Sequence, residues 1–140
     1  MVETRRIHVI SGFPAKALED AIASGRVVIL DTPPNDPKTL GLAARTSDRV
    51  IVVSGANPLE ADRLAPTLDA LEASGFSGPW GVLLTRVPRG NLGDAMTQAL
   101  EAAGLTVLGR IPSLVEYERS FGNNPVRLED YGVALKGFLE

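Results

Sequence analysis

Five short runs rich in Val, Ile and Leu recur along the chain, and a helical pattern separates each from the next. The runs are RIHVI (Arg6 to Ile10), RVVILD (Arg26 to Asp31), RVIVVS (Arg49 to Ser54), WGVLLT (Trp80 to Thr85) and LTVLGRI (Leu105 to Ile111). Alternation of this kind marks a parallel sheet with helices against its faces. A strand buried on both faces reads as a continuous apolar run rather than an alternating one, and Val27 to Leu30 reads that way. The expectation is a three-layer α/β domain spanning 1–140, with about five mostly parallel strands flanked by helices.

The separating segments carry their own start and stop signals. Pro14 suits the first turn of a helix that runs to about Ser24, with Leu18 and Ile22 on one face and Gly25 ending it. Asn35-Asp36-Pro37 places a capping side chain before a proline, which starts a helix ending near Thr46. Asn57-Pro58 opens the next helix, in which Leu64, Leu68 and Leu71 face inward and Pro66 imposes a kink or a break. Further helices are expected over about Asn91 to Ala103, Leu114 to Ser120 and Val126 to Leu139.

Composition narrows the chemistry. The chain has 140 residues, enough for one domain, and its 44% hydrophobic content supports a real core. The net charge of −3 gives no electrostatic case for a dedicated nucleic-acid binder. With no cysteine, disulfides, zinc-thiolate sites and cysteine nucleophiles are excluded, and His8 alone cannot build a multi-histidine metal site. The N-terminus lacks the apolar stretch of a signal peptide, and no apolar run approaches the ~20 residues a bilayer requires. These features point to a cytoplasmic protein without a membrane partner.

In an open parallel sheet, ligands bind beyond the carboxyl ends of the strands. The residues leaving those ends are Ser11, Asp31-Thr32, Ser54, Thr85-Arg86 and Ile111-Pro112. Asp31 is the sharpest of them, because a strand-end carboxylate can accept hydrogen bonds from magnesium-bound water, and Thr32 could join the same shell. Its alternative is a simple turn cap before Pro33-Pro34. Arg86 and Arg89 make a small basic loop that could contact a ligand, but exposed arginines are common and a solvated surface loop is the stronger reading. No nucleophile–histidine–acid set can be assembled, and neither GxxxxGK[ST] nor GxGxxG occurs. A phospho-receiver domain would need paired acids after the first strand and a lysine after the fifth, where this chain has Ser11-Gly12 and Gly109-Arg110.

VVILDTPP, RVIVVSGANPLEADRL, GVLLTRVPRGN, GRIPSLVEYERSFG and PVRLEDYGVALKGFLE stand in this order over nearly the whole chain. Together they resemble the ParA/MinD-like partition and positioning ATPases of the deviant-Walker P-loop class. The resemblance implies that Asp31 is a Walker B aspartate acting on Mg²⁺ through water. It implies that Thr32 to Asn35 begin the segment sensing the γ-phosphate. Thr85 and Arg86 would match the strand end near the nucleotide base, and Ile111 and Pro112 the backbone along the adenine. It further implies ATP and Mg²⁺ as cofactors, self-association, a ParB-like or cargo-adaptor partner, and weak, salt-sensitive DNA contact through Arg86, Arg89, Arg119 and Arg127.

The family's phosphate loop, with its backbone cradle, its lysine and its Ser/Thr ligand to Mg²⁺, has no counterpart in this sequence. Those groups supply most of the affinity for a triphosphate. The expectation is therefore an N-terminally truncated, incomplete P-loop fold that alone neither binds ATP tightly nor hydrolyses it. The alternative is a non-catalytic ParA-like interaction module. In the family, two strands absent here flank the VVIL strand, so the remaining five either close up into a new sheet or are completed by a second chain.

Overall fold

The computed structural model describes residues 15–123 and 127–140. The chain divides into two compact units, Met1–Asp31 and Thr32–Glu140. In the first, α1 (Ala15–Ala23) is followed by a segment without regular secondary structure. The expected RIHVI strand lies outside the described residues. The expected RVVILD strand is a correction: residues 26–31 adopt no regular secondary structure and join no ladder among the described residues. Val27 and Ile29 are 90% and 87% exposed, not buried on both faces. Strand propensity is mostly fit to a pleated, half-buried surface, and among the described residues no neighbouring strand provides one for this run.

The second unit holds a parallel sheet in the order β1-β2-β3, formed by β1 (Val50–Gly55), β2 (Trp80–Val87) and β3 (Val107–Pro112). Three strands, not five, pair among the described residues, and no closed-up five-stranded sheet forms there. The connecting helices are α2 (Pro37–Thr46), α3 (Pro58–Asp62), α4 (Leu64–Ala73) and α5 (Leu92–Ala102), followed after β3 by α6 (Val115–Arg119) and α7 (Glu129–Leu135).

Local chemistry explains most of these boundaries. Asp36 caps α2, its carboxylate accepting from the Thr39 N–H at 3.0 Å and the Thr39 hydroxyl at 2.6 Å, with Pro37 in the first turn. A continuous helix through residue 66 would need the Pro66 nitrogen to donate to Asp62, and its ring would clash with that carbonyl. The helix accordingly breaks at Arg63, and Pro66 falls in the first turn of α4, where a missing N–H costs nothing.

The core lies on one face of the sheet. Val52, Val82 and Leu84 pack there with Ala44 of α2, Leu64 and Leu71 of α4, and Met96 and Leu100 of α5. Val82 and Leu84 are fully buried. α7 packs against β3 on the opposite face, where Gly109 permits a close approach: a β-carbon there would overlap that of Ala134. Val53 of β1 points to this second face and is 61% exposed. Beyond β1 the sheet has no further partner among the described residues.

Two irregularities shape the ladder between β2 and β3. Val82 pairs with Val107 and Leu83 with Gly109, so Leu108 is an extra residue on β3. Leu84 pairs with Arg110 and Val87 with Pro112, so two residues of β2, Thr85 and Arg86, face one on β3. The second irregularity is a bulge, and bulges re-aim side chains.

Candidate functional site at the carboxyl edge of the sheet

The parallel strands bring Gly55, Thr85-Arg86 and Ile111-Pro112 to one edge, as their positions at strand ends require. The Ser113 N–H donates to the Val87 carbonyl at 2.9 Å and the Ala56 N–H to the Thr85 carbonyl at 3.2 Å, tying the strand ends together. Ile111 is 1% exposed, so its side chain serves the core and only its backbone could meet a ligand. Pro112 and Thr85 are half-buried, and the Thr85 hydroxyl donates to the Ser54 carbonyl at 3.4 Å. Asp31 is exposed at the end of the first unit, and Thr32, half-buried, begins the second.

Arg86 is the focus of the edge. The bulge holds its backbone at φ +52, a left-handed conformation uncommon outside glycine. From there its Nη2 donates to both carboxylate oxygens of Glu60 at 2.7 Å. The same carboxylate accepts from the Gly55 N–H at 2.6 Å and from Asn57 Nδ2 at 3.0 Å. Asn57 caps α3 in return, its Oδ1 accepting from the Glu60 N–H at 2.9 Å. The Gly55 N–H, and after it Asn57 and Arg86, hold the Glu60 carboxyl below the ordinary glutamate range against the opposing effect of burial.

Glu60 was not among the residues singled out from the sequence. Its signal was present: Asn57-Pro58-Leu59-Glu60 follows the pattern of a cap residue with an acid three positions on. The reach of that acid across the end of β1 to an arginine 26 residues later depends on strand pairing and could not be read locally.

The fit to a magnesium nucleotide is poor on the donor set of the second unit. Glu60 is the carboxylate built into the edge, and it already receives four hydrogen bonds, two of them from a guanidinium. A carboxylate so engaged is a weak candidate for a hydrated Mg²⁺. Among the described residues no group of three or more His, Asp or Glu is placed to hold a metal ion.

Of the arginines expected to contact DNA, Arg86 pairs with Glu60, and Arg127 with Asp130 at 3.3 Å. Asp130 also accepts from the Tyr117 hydroxyl at 2.8 Å, and burial, then this bond, push the Tyr117 phenol up to about 12. Tyr117 stacks edge-on against Tyr131 at 5.6 Å, and the two line a cavity of about 270 Å³ with Ser120 and Leu128. A larger recess of about 400 Å³, lined by Arg45, Ser47, Asp48 and Ser74 to Gly78, lies where the chain enters β1 and β2. That is the amino end of the strands, opposite to where parallel sheets take ligands.

No family model matches the sequence, and no curated protein matches it. Among the described residues no helix is long and apolar enough to cross a membrane.

Proposed function

We propose that this chain is a ParA/MinD-like partition-ATPase portion that carries the base-side half of the nucleotide site and, by itself, neither binds Mg·ATP tightly nor hydrolyses it. The observation carrying this reading is the carboxyl edge. Thr85-Arg86 and Ile111-Pro112 meet there on parallel strands, in the arrangement a base-side wall needs, while Arg86 is neutralised by Glu60. A P-loop fold in the family's sense would hold five or more strands, with Asp31 beside a phosphate loop. In this reading the further strands and the phosphate cradle are supplied from outside these residues, and the protein works in the cytoplasm on plasmid, chromosome or other cargo through a ParB-like adaptor.

A second reading, a non-catalytic self-associating module, is favoured by β1. Its outer side has no strand partner among the described residues, and Val53 beside it is 61% exposed. Unpaired strand edges are templates for association. DNA contact would be weak in either reading, since Arg86 and Arg127 are each spent on a carboxylate.

Calorimetric titration of the chain with Mg·ATP and Mg·ADP, with its mass in solution recorded alongside, tests both readings. The expected result is no saturable heat up to millimolar nucleotide. Micromolar binding that Asp31→Ala abolishes would overturn the first reading. A strictly monomeric mass at all concentrations would overturn the second.

A further inference from the structure

We propose that Gly55, Asn57 and Arg86 form a seat for an oxyanion, a carboxylate or a phosphate, and that Glu60 fills it as an internal stand-in which an outside oxyanion displaces. The seat is a feature of two strand ends and the loop between β1 and α3. It goes beyond the ParA-like reading and does not depend on it.

The pattern of donors carries the inference. Each Glu60 oxygen receives two hydrogen bonds: Oε2 from the Gly55 N–H at 2.6 Å and Arg86 at 2.7 Å, Oε1 from Asn57 Nδ2 at 3.0 Å and Arg86 at 2.7 Å. The donors come from the end of β1, the following loop and the bulge of β2, and they converge on a pair of oxygens about the size of one carboxylate edge. The contacts from Arg86 are charge-assisted, with the single Nη2 bridging both oxygens, and such bonds to carboxylates and phosphates are stronger than neutral ones.

Two backbone features shape the seat. Gly55 lacks a β-carbon, and the Glu60 carboxylate occupies the space one would take, directly against the Gly55 N–H. The bulge at Thr85-Arg86 turns the arginine toward the end of β1 in a backbone conformation that costs energy for any residue but glycine. A surface ion pair offsets little of such a cost.

The seat is also reachable. The Arg86 side chain is 68% exposed and that of Glu60 30%. Glu60 sits on α3, which ends at the break at Arg63, so its side chain can rotate to solvent without disturbing α4.

The test is amide NMR of the full chain with two probes, sodium acetate and inorganic phosphate, against sodium chloride at equal ionic strength. In Glu60→Ala the seat is vacated, and either oxyanion should shift the Gly55 amide saturably and raise the melting temperature, as a ligand specific for the folded state must. The anion that saturates at the lower concentration identifies the natural group as carboxylate or phosphate. Glu60→Gln keeps the side-chain volume and should admit the anion at lower concentration than the wild type. In Glu60→Ala/Arg86→Ala the response should vanish. The proposal is overturned if neither oxyanion shifts the wild-type Gly55 amide saturably, if folded Glu60→Ala or Glu60→Gln shows no saturable shift, or if chloride or the double variant gives the same response.

Discussion

Arg86 allows the backbone cost of the bulge to be separated from the ion pair it supports. Arg86→Ala and Arg86→Gly both remove the guanidinium and leave Glu60 bonded to Gly55 and Asn57. They differ only in how each tolerates φ +52. A left-handed backbone costs an L-residue about 1–2 kcal/mol. Glycine loses back about 0.4–1 kcal/mol through the greater freedom of its unfolded chain. The balance leaves Arg86→Gly more stable than Arg86→Ala by about 0.5–1 kcal/mol. The ion pair, with its arginine 68% exposed, is worth only about 0.5 kcal/mol. The expected order is therefore Arg86→Gly at or above wild type, and Arg86→Ala below both. In urea denaturation with a slope of about 1.5 kcal/mol per molar, the two variants should differ in midpoint by about 0.5 M. Equal midpoints, or a lower one for glycine, would refute the assignment of a strained, left-handed Arg86.

Two further outcomes follow from packing and charge. Gly109→Val should push α7 off β3, because Ala134 already occupies the space of a β-carbon; a loss of about 1–3 kcal/mol and faster proteolytic cleavage between α6 and α7 are expected, and an unchanged cleavage pattern would contradict the close approach. Stability should fall at both ends of the pH range. The folded Glu60 carboxyl lies below its ordinary 4.5, so its contribution is present above that pH and disappears as pH falls through the lowered value, an acid limb that Glu60→Gln should shrink. The folded Tyr117 phenol lies at about 12 against an ordinary 10, so its contribution is intact below pH 10 and is lost as pH rises toward 12, a limb that Tyr117→Phe should remove.

Legibility in the sequence followed the range of the interaction involved. Asp36-Pro37 starting α2 and Pro66 breaking the helix after Asp62 are settled within one helical turn, so both could be read from neighbouring residues. The apolar runs at β1, β2 and β3 were readable because each pairs and buries as its composition demands. The run at Val27 to Leu30 has an equally strong pattern and a different outcome, because a run states only what burial it could use, not whether a partner strand is there to provide it.

The site divides in the same way. The strand-end positions of Thr85, Arg86, Ile111 and Pro112 could be deduced, since parallel strands must deliver their ends to one edge. By itself, then, the sequence determined the three strands that pair, their parallel direction and which of their residues reach the carboxyl edge of the sheet, all consequences of local propensity and side-chain period. Only the tertiary structure decided that Ile111 is core, that an extra residue bulges β2 at Arg86, and that Glu60 closes the edge over Gly55. Register, bulges and ion pairs across strands depend on which residues lie opposite one another, and that is determined by packing of the whole unit rather than by any stretch of chain.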